Sequence, residues 1–182
     1  LEDRPQAFDA LVTAFEMDVF DNETAKYLER ITHATSKWPE LMPVVNGWLT
    51  AESDPSRKIQ LCLRLAKWYA EDLNRQDYAD PYYQQVHKLD PNNVNALRQM
   101  ANLRRKMGEF KQEGFFLQEA LKNAVSEGDR KEIQTEIGQV LHLKMNEVEQ
   151  GIVYYRKALE IDPNYVPALE MLERIYTERA RT

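Results

Sequence analysis

The sequence is poor in cysteine and glycine, and each shortage excludes a class of structure. Cys62 is the only cysteine among 182 residues, which excludes an internal disulfide framework and a zinc site built from several thiolates. Six glycines and eight scattered prolines are few for a fold made of tight turns. No apolar run approaches the roughly 18 residues that a membrane-spanning helix needs. This composition favours helices.

The charge balance is acidic, which bears on the partners to be expected. Lysine and arginine number 24 against 30 aspartates and glutamates, so the formal net charge is -6. An acidic chain lacks the general attraction for phosphate backbones, and we therefore predict no nucleic-acid partner. The apolar fraction of 43% and the aromatic fraction of 10% exclude a disordered chain and suffice for a buried core.

The sequence repeats itself at an interval of 72 residues. Residues 82–92 read YYQQVHKLDPN and recur at 154–164 as YYRKALEIDPN. A fainter copy upstream aligns residues 7–18 with 79–90. About a dozen matched positions with almost no gaps indicate an internal duplication.

Within each 72-residue copy, apolar residues recur at the spacing of helices. Leu61, Leu65 and Trp68 share one face of a helix, and Asp-Pro pairs interrupt the pattern because proline cannot continue the hydrogen bonding of a helix. No segment alternates with period two for long enough to predict a strand. The pattern predicts ten helices, at about residues 4–17, 22–35, 38–51, 56–73, 76–88, 94–107, 109–124, 129–144, 147–160 and 165–180.

Two of the helix pairs carry a recognisable set of small and aromatic residues. One pair contains Ile137-Gly138, Leu141, Gly151, Tyr155, Ala158 and Pro163. The other contains Leu65-Ala66, Tyr69, Ala79, Tyr83, Val86 and Pro91. Both sets resemble the signature of the tetratricopeptide repeat (TPR) family, with one extra residue between the two helices. The resemblance implies an all-α fold, a right-handed α-solenoid of antiparallel helix pairs with about ten helices.

The resemblance extends over nearly the whole chain and divides it into helix pairs. It implies a single TPR-like solenoid over residues 1–182, which begins with the second helix of a truncated repeat at 4–19 and ends with an unpaired or capping helix at 165–181. The intervening helix pairs are predicted at 22–53, 55–92, 94–126 and 128–164. The unpaired helices favour a fragment of a longer TPR-repeat protein. The alternative is that the last helix is itself the cap.

No arrangement of residues in the sequence predicts catalysis. The three histidines, His33, His87 and His142, are far apart, and none has a metal-ligand partner at a suitable spacing. Cys62 lies on an apolar helix face, which favours a structural role over a nucleophile. We therefore predict that the chain is not an enzyme and binds no cofactor and no metal.

Binding is the remaining function, and the family resemblance implies where it would occur. In TPR proteins the first helices of successive pairs line a concave groove. By register, the groove residues of this chain would be Lys26, Arg30, Arg64, Lys67, Asn95, Arg98, Asn102, Arg105, Glu132 and Glu136. This groove would be basic over its first three helices and acidic beyond. It predicts an acidic peptide as ligand, because arginine and asparagine suit carboxylates. The alternative is an ordinary solvated face of mutual ion pairs.

Part of this groove resembles a known peptide clamp. Arg98 and Asn102 are similar to residues of the carboxylate clamp by which some TPR domains bind the C-terminal tails of heat-shock chaperones. The next first helix of such a clamp adds an asparagine and a basic residue, whereas this chain has Glu132 and Glu136 there. A receptor for chaperone tails is therefore not predicted.

The resemblance implies a non-catalytic protein–protein interaction scaffold that binds a partner peptide or protein in its groove. The alternative is a ligand- or peptide-sensing regulatory module of a larger enzyme or receptor. We also predict self-association through the exposed end helices, because open apolar faces favour pairing. The compartment stays open, with a cytoplasmic one favoured.

Overall fold

The computed structural model describes residues 3–181 of the chain, and the side chains of residues 6–181. Within this range it contains ten α-helices and no strand. The helices are α1 (Asp3–Met17), α2 (Asn22–Thr35), α3 (Trp38–Ala51), α4 (Pro55–Lys67), α5 (Gln76–Leu89), α6 (Val94–Met107), α7 (Phe110–Asn123), α8 (Glu127–Gln139), α9 (Val148–Ile161) and α10 (Val166–Ala180). None of these described helices is long and apolar enough to cross a membrane. The predicted all-α class and its ten helices are confirmed.

Consecutive helices pack as antiparallel pairs, because the loops between them are too short for another arrangement. Only residues 108–109 separate α6 from α7, and these two helices pack along their length. The pairs α4–α5 and α8–α9 also pack closely. In each of these pairs we call the earlier helix the first helix and the later one the second helix. By the same alternation, α2 and α10 correspond to first helices and α1 to a second helix.

Two of the helix pairs have one residue more between their helices than the TPR signature, and a π-helical turn accommodates it. Such turns follow α4 at Trp68–Asp72 and α8 at Val140–Lys144, 72 residues apart. Their hydrogen bonds span five residues, from Leu73 N–H to the Trp68 carbonyl at 2.9 Å and from Met145 N–H to the Val140 carbonyl at 3.1 Å. A π turn is the usual way for a helix to accommodate one inserted residue.

The backbone turns repeat with the same 72-residue interval. Ser36 and Gly108 end α2 and α6 in the left-handed conformation, with φ of 56° and 76°. Asn74 and Asn146 follow the two π turns with φ of 51° and 57°. Glycine and asparagine adopt this conformation at low cost, which explains their presence at three of the four positions.

Short polar side chains begin several of the helices by accepting hydrogen bonds from free amide groups. Asp54 accepts from Arg57 N–H at 2.8 Å, and Asn93 accepts from Ala96 N–H at 3.0 Å. At the start of α8 the capping residue is Ser126, whose hydroxyl accepts from Asp129 N–H at 3.0 Å. Each cap satisfies a donor that has no partner within its own helix.

The chain divides into two compact units, Leu1–Asp90 and Pro91–Thr182, which we call the first and second unit. The core of the first unit contains a cluster of aromatic rings among aliphatic side chains. The Trp68 ring lies 5.8 Å from the Phe15 ring and 5.7 Å from the Trp38 ring, measured between centroids. The core of the second unit is mainly aliphatic, formed by Leu97, Ala101, Leu117, Ala120, Ala124, Ile133, Ile137, Val140 and Leu141. A smaller cluster beside it contains Ile152, Tyr155, Ala158, Ala168 and Ile175.

Small residues lie where paired helices cross most closely. A Cβ atom added at Gly138 would lie 2.6 Å from Cε1 of Tyr155, and one at Gly151 would lie 2.9 Å from Cβ of His142. Real Cβ atoms do not approach other atoms so closely, so α8 and α9 could not pack at this distance with larger residues. The sequence-based interpretation of these glycines is consistent with this packing.

Candidate functional site

The second unit contains an open cavity between two successive first helices, α6 and α8. Its volume is about 740 Å³. Its walls are formed by Val94, Asn95, Arg98, Gln99, Ala101, Asn102, Arg105, Asp129 and Glu136. Five of the ten predicted groove residues, all from the second unit, therefore lie on these walls. They come from the helices that the family resemblance assigns to a groove.

The α6 wall presents four polar residues in one line. Asn95, Arg98, Asn102 and Arg105 are spaced by three, four and three residues, which places them on one face of the helix. Asn95 and Asn102 are exposed, and within the described part of the chain neither side chain forms a hydrogen bond. These two amides therefore keep their donors and acceptors available to a ligand.

Arg98 is bound by carboxylates of the facing helix. Its Nη2 atom donates to Oε1 of Glu136 at 2.5 Å, and its Nη1 atom lies 3.1 Å from Oε2 of Glu132 and 3.8 Å from Oδ1 of Asp129. Burial lowers the pKa of Arg98, but the hydrogen bonds to Glu136 and Glu132 outweigh burial, so the pKa is raised overall. The charge of Arg98 is thus largely satisfied before any ligand arrives.

Arg105 is held in a different way, by the second helix of its own pair. Its Nε atom donates to Oε1 of Glu113, a carboxylate of α7 that is fully buried. The other oxygen, Oε2 of Glu113, is buried and has no hydrogen-bond partner among the described residues. A buried carboxylate is costly without its cation, so Arg105 stabilises the α6–α7 pair in addition to lining the cavity. Glu113 was not among the residues predicted from the sequence.

In the first unit, Arg64 and Lys67 of α4 bind one carboxylate of α2. The Nζ atom of Lys67 lies 3.0 Å from Oε1 of Glu29, and Nη1 of Arg64 lies 3.5 Å from the same oxygen. The indole Nε1 of Trp68 also donates to it, at 2.8 Å. Glu29 was not among the residues predicted from the sequence. The two predicted groove cations are therefore already paired within the unit.

The remaining two predicted groove residues, Lys26 and Arg30, are exposed on α2. Lys26 forms an ion pair with Glu23 of the same helix at 2.6 Å. The guanidinium carbon of Arg30 lies 5.9 Å from the centre of the Tyr27 ring. Both contacts are local and solvent-exposed, so they constrain these cations far less than the contacts of Arg64 and Arg98.

The ion clusters of the two units share one arrangement, in which a charged residue of one first helix binds two opposite charges of the next first helix. In the first unit, Glu29 of α2 binds Arg64 and Lys67, which follow it by 35 and 38 residues. In the second unit, Arg98 of α6 binds Glu132 and Glu136, which follow it by 34 and 38 residues, with the signs reversed. We call this arrangement the cross-repeat ion cluster. Because it joins successive first helices, it stabilises their packing, and the same charges have less capacity to bind a ligand.

The described residues show no arrangement that would hold a metal ion. No group of three or more histidine, cysteine, aspartate or glutamate side chains within the described range is placed to ligate one. Cys62 is buried, and its burial raises the pKa of the thiol to about 11, far from that of a reactive thiolate.

Stacked antiparallel helix pairs, with small residues at their crossings and successive first helices side by side, define a helical-hairpin repeat protein. Comparison with known proteins relates one segment of the chain to a repeat family. Residues 132–165 match the family model of the tetratricopeptide repeat. No curated protein sequence matches the chain.

Three solved structures illustrate the shared fold. The N-terminal domain of stress-induced protein-1 (STI-1) from C. elegans is 13% identical with a TM-score of 0.60, and the match covers 67% of this chain and 98% of that one. MamA is 17% identical with a TM-score of 0.67, covering 84% and 85%. YrrB, described as a TPR protein with an unusual peptide-binding site, is 16% identical with a TM-score of 0.64, covering 94% and 84%. Residues 132–165 thus match the TPR family model, and the chain shares the fold of an all-α solenoid with these three structures.

Proposed function

We propose that the chain is a non-catalytic protein–protein interaction module whose second unit binds an extended peptide between α6 and α8. The observation that carries this proposal is the pair of exposed amides, Asn95 and Asn102, on the wall of an open cavity. An asparagine amide offers both donors and an acceptor, which suits the alternating N–H and C=O groups of a peptide backbone. This form of recognition depends little on the side chains of the peptide.

The spacing of the two amides matches a short extended segment. Asn95 and Asn102 are seven residues apart on α6, which corresponds to about 10 Å along the helix axis. An extended chain advances about 3.3 Å per residue, so about three of its residues span this distance. One short peptide can therefore contact both amides while its side chains enter the cavity on either side.

The ion pairs within the cavity determine which arginine is available to an acidic ligand. Arg98 is already bound to Glu132 and Glu136, so a peptide carboxylate would have to displace one of them. Arg105 is partly exposed and has further N–H donors beyond the one bound to Glu113. We therefore propose that an acidic residue of the peptide binds Arg105 rather than Arg98. The acidic character of the partner stays a prediction.

The shared fold supports a peptide ligand in general terms. YrrB has a peptide-binding site by its own description, and its fold is shared with this chain over most of both chains. A fold of this kind can therefore present a peptide site on stacked helix pairs.

Nuclear magnetic resonance tests the proposal directly. Peptides selected from a randomised display library against the immobilised protein would be titrated into ¹⁵N-labelled protein. We expect the largest shifts at the side-chain amides of Asn95 and Asn102 and at the Arg105 Nε–H. Shifts confined to α7 and α9, the second helices, would contradict the proposal.

Substitution of the two asparagines gives the matching energetic test. Asn95→Ala with Asn102→Ala removes hydrogen bonds worth about 0.5–1.5 kcal/mol each, so we expect affinity to fall by about tenfold. The matched control is Gln112→Ala with Gln118→Ala, which removes two exposed amides from α7. Equal affinities for the two double variants would refute the site. Both variants should unfold at the temperature of the wild type, because all four side chains are exposed.

Charge reversal of the cavity arginines would be a poorer test. Arg98→Glu would bring a third carboxylate against Glu132 and Glu136, and Arg105→Glu would face the buried Glu113. Such variants lose stability through like-charge repulsion and an unpaired buried charge. A loss of binding would then not report on the ligand contacts.

A ligand-sensing regulatory module is the second candidate, and the size of the cavity favours it. Small-molecule sites typically enclose about 300–1,000 Å³, a range that includes the volume of about 740 Å³ found here. A thermal-shift screen of small polar compounds separates the two candidates. Stabilisation by such a compound, lost in the Asn95→Ala and Asn102→Ala variant, would favour sensing.

A further inference from the structure

The second unit has another recess on the side of its second helices, between α7 and the segment that leads from the π turn into α9. Its volume is about 320 Å³, and we call it the α7–α9 slot. It continues beside the α6–α7 turn into a wider recess of about 560 Å³. The apolar lining of the slot consists of Ile137, Val140, Leu141, Met145, Gly114 and Phe115.

In the first unit a side chain occupies the position where the slot opens. The 72-residue repeat aligns Gly114 of α7 with Met42 of α3. Met42 is only 5% exposed, so its side chain is packed within the first unit. Gly114 has no side chain, and a Cβ atom added there would meet no atom within 4 Å. The second unit therefore has open space beside Gly114, and the buried residues Val140 and Leu141 line it.

Aromatic rings lie at the other equivalent positions of the first unit. Tyr69, which aligns with Leu141, stacks between Tyr78 and Tyr82 at centroid distances of 5.3 Å and 5.7 Å. The second unit has Gln150 where the first has Tyr78, so two of the three rings have no counterpart around the slot. An apolar cavity of about 150 Å³ is large enough for a benzene ring. The slot, at about 320 Å³, therefore has room for one aromatic side chain of a partner.

The charged residues that line the slot and the wider recess favour an acidic partner. Lys111 and Lys144 are exposed, and among the described residues neither has a carboxylate within ion-pair distance. Glu147 is the one lining carboxylate without an ion pair in that part of the chain, because Glu109 is bound by Arg104 at 3.4 Å. Two cations and one carboxylate without ion pairs leave an excess of positive charge beside an apolar slot.

We propose that the α7–α9 slot is a second protein-binding site, which takes one aromatic side chain of a partner segment whose neighbouring residues are acidic. The ring enters beside Gly114 and packs against Leu141 and Met145, while the acidic residues lie near Lys111 and Lys144. Exposed ion pairs contribute little each, so the buried ring supplies most of the affinity and the charges select the partner. This site is separate from the cavity between α6 and α8, and neither proposal depends on the other.

Nuclear magnetic resonance with a synthetic probe tests the site. The probe is the end-blocked peptide Asp-Glu-Tyr-Glu-Asp, titrated to millimolar concentration into protein labelled with ¹⁵N and at its methyl groups. We expect the largest shifts at the Gly114 amide and at the methyl groups of Leu141 and Met145. A probe with alanine in place of tyrosine should bind at least about tenfold more weakly, because it buries no ring. Shifts that spare the slot, or equal binding of the two probes, would overturn the proposal.

Closing the slot gives the matching variant. Gly114→Met introduces the residue that the first unit has at the equivalent position. The matched control is Gly47→Met on α3, where an added Cβ atom likewise meets no atom within 4 Å. Because methionine favours a helix more than glycine does, both variants should be at least as stable as the wild type. Gly114→Met should abolish binding of the probe and Gly47→Met should retain it, whereas equal binding by the two variants would refute the site.

Substitution of the lysines tests the acidic character of the partner. Lys111→Gln with Lys144→Gln should weaken binding of the probe by about threefold, and Glu147→Gln should strengthen it by removing a repulsion. The control is Lys88→Gln with Lys122→Gln, which changes the net charge equally at two other exposed lysines and should have no effect. A basic probe, Lys-Lys-Tyr-Lys-Lys, that binds more tightly than the acidic one would overturn the choice of partner.

Reciprocal variants distinguish the slot from the cavity between α6 and α8. Asn95→Ala with Asn102→Ala should bind the probe as the wild type does, because neither asparagine lines the slot. Loss of probe binding in that variant would place the probe in the cavity and overturn this proposal. Gly114→Met should still bind peptides that occupy the cavity. Gln112 and Gln118 line the recesses beside α7 and not the cavity, so their alanine variant is a control for cavity ligands only.

Discussion

The close crossing of α8 and α9 gives a sharp test of how this fold is held together. Gly138 of α8 faces the ring of Tyr155, and an added Cβ would lie 2.6 Å from Cε1, 2.8 Å from Cδ1 and 3.1 Å from Cζ. Tyr155 is fully buried, so its ring cannot move into solvent. Gly138→Ala therefore forces either the ring or the two helices apart.

The expected magnitude follows from two opposing effects. Replacing a helical glycine by alanine stabilises a helix by about 1 kcal/mol. Overpacking a well-packed core costs about 1–3 kcal/mol. Gly138→Ala should therefore lower the free energy of unfolding by about 1 kcal/mol. Gly114→Ala should raise it by about 1 kcal/mol, because its added Cβ would meet no atom within 4 Å.

The assay is urea unfolding followed by far-ultraviolet circular dichroism. Both glycines lie in the second unit, so both substitutions report on the same cooperative core. Equal stability of Gly138→Ala and Gly114→Ala would refute the close crossing. A second check is Tyr155→Leu, which removes the ring. Gly138→Ala should cost less in that background, whereas the effect of Gly114→Ala should not change.

Two further predictions follow from buried ionisable groups. Burial raises the pKa of Tyr155 from 10.0 to about 12, so the stability this side chain contributes is present below pH 10 and is lost as the pH rises towards 12. Between pH 9 and 11, the free energy of unfolding of Tyr155→Phe should therefore fall by about 1 kcal/mol less than that of the wild type, as measured by urea unfolding at each pH. Equal decreases for the two proteins would contradict this. Burial likewise raises the pKa of the Cys62 thiol to about 11. An aromatic disulfide reagent near neutral pH should label it only as fast as the chain opens, whereas labelling in denaturant should be rapid. Rapid labelling of the folded protein would be the contrary result.

The helices were predictable because their signals are local. Apolar residues at helical spacing and Asp-Pro interruptions placed ten helices, and the structure has helices at all ten positions within a few residues. The extra residue inside two of the pairs was also visible in the sequence. Its accommodation in π turns at 68–72 and 140–144 was not, because the choice between a π turn and a longer loop depends on how the second helix packs.

The candidate site was predictable in its location but not in its chemistry. The residues Asn95, Arg98, Asn102 and Arg105 share a helix face by spacing alone, and the structure places them on one cavity wall. Their partners lie on other helices. Opposite charges recurring 34 to 38 residues apart were a signal for the cross-repeat ion clusters. The contact of Arg105 with Glu113 had no such signal, because glutamate is usually exposed.

The sequence by itself determined the repeat, the helices and the faces on which polar residues lie, because each of these depends on neighbours within a few turns of one chain segment. Only the tertiary structure decided which charges are free. Glu29 and Arg98 are each bound by three side chains more than 30 residues away, while Asn95 and Asn102 are left open to solvent. The physical reason is that an ion pair depends on a distance of a few ångströms between helices, which is set by how Gly138, Tyr155 and the other core residues pack.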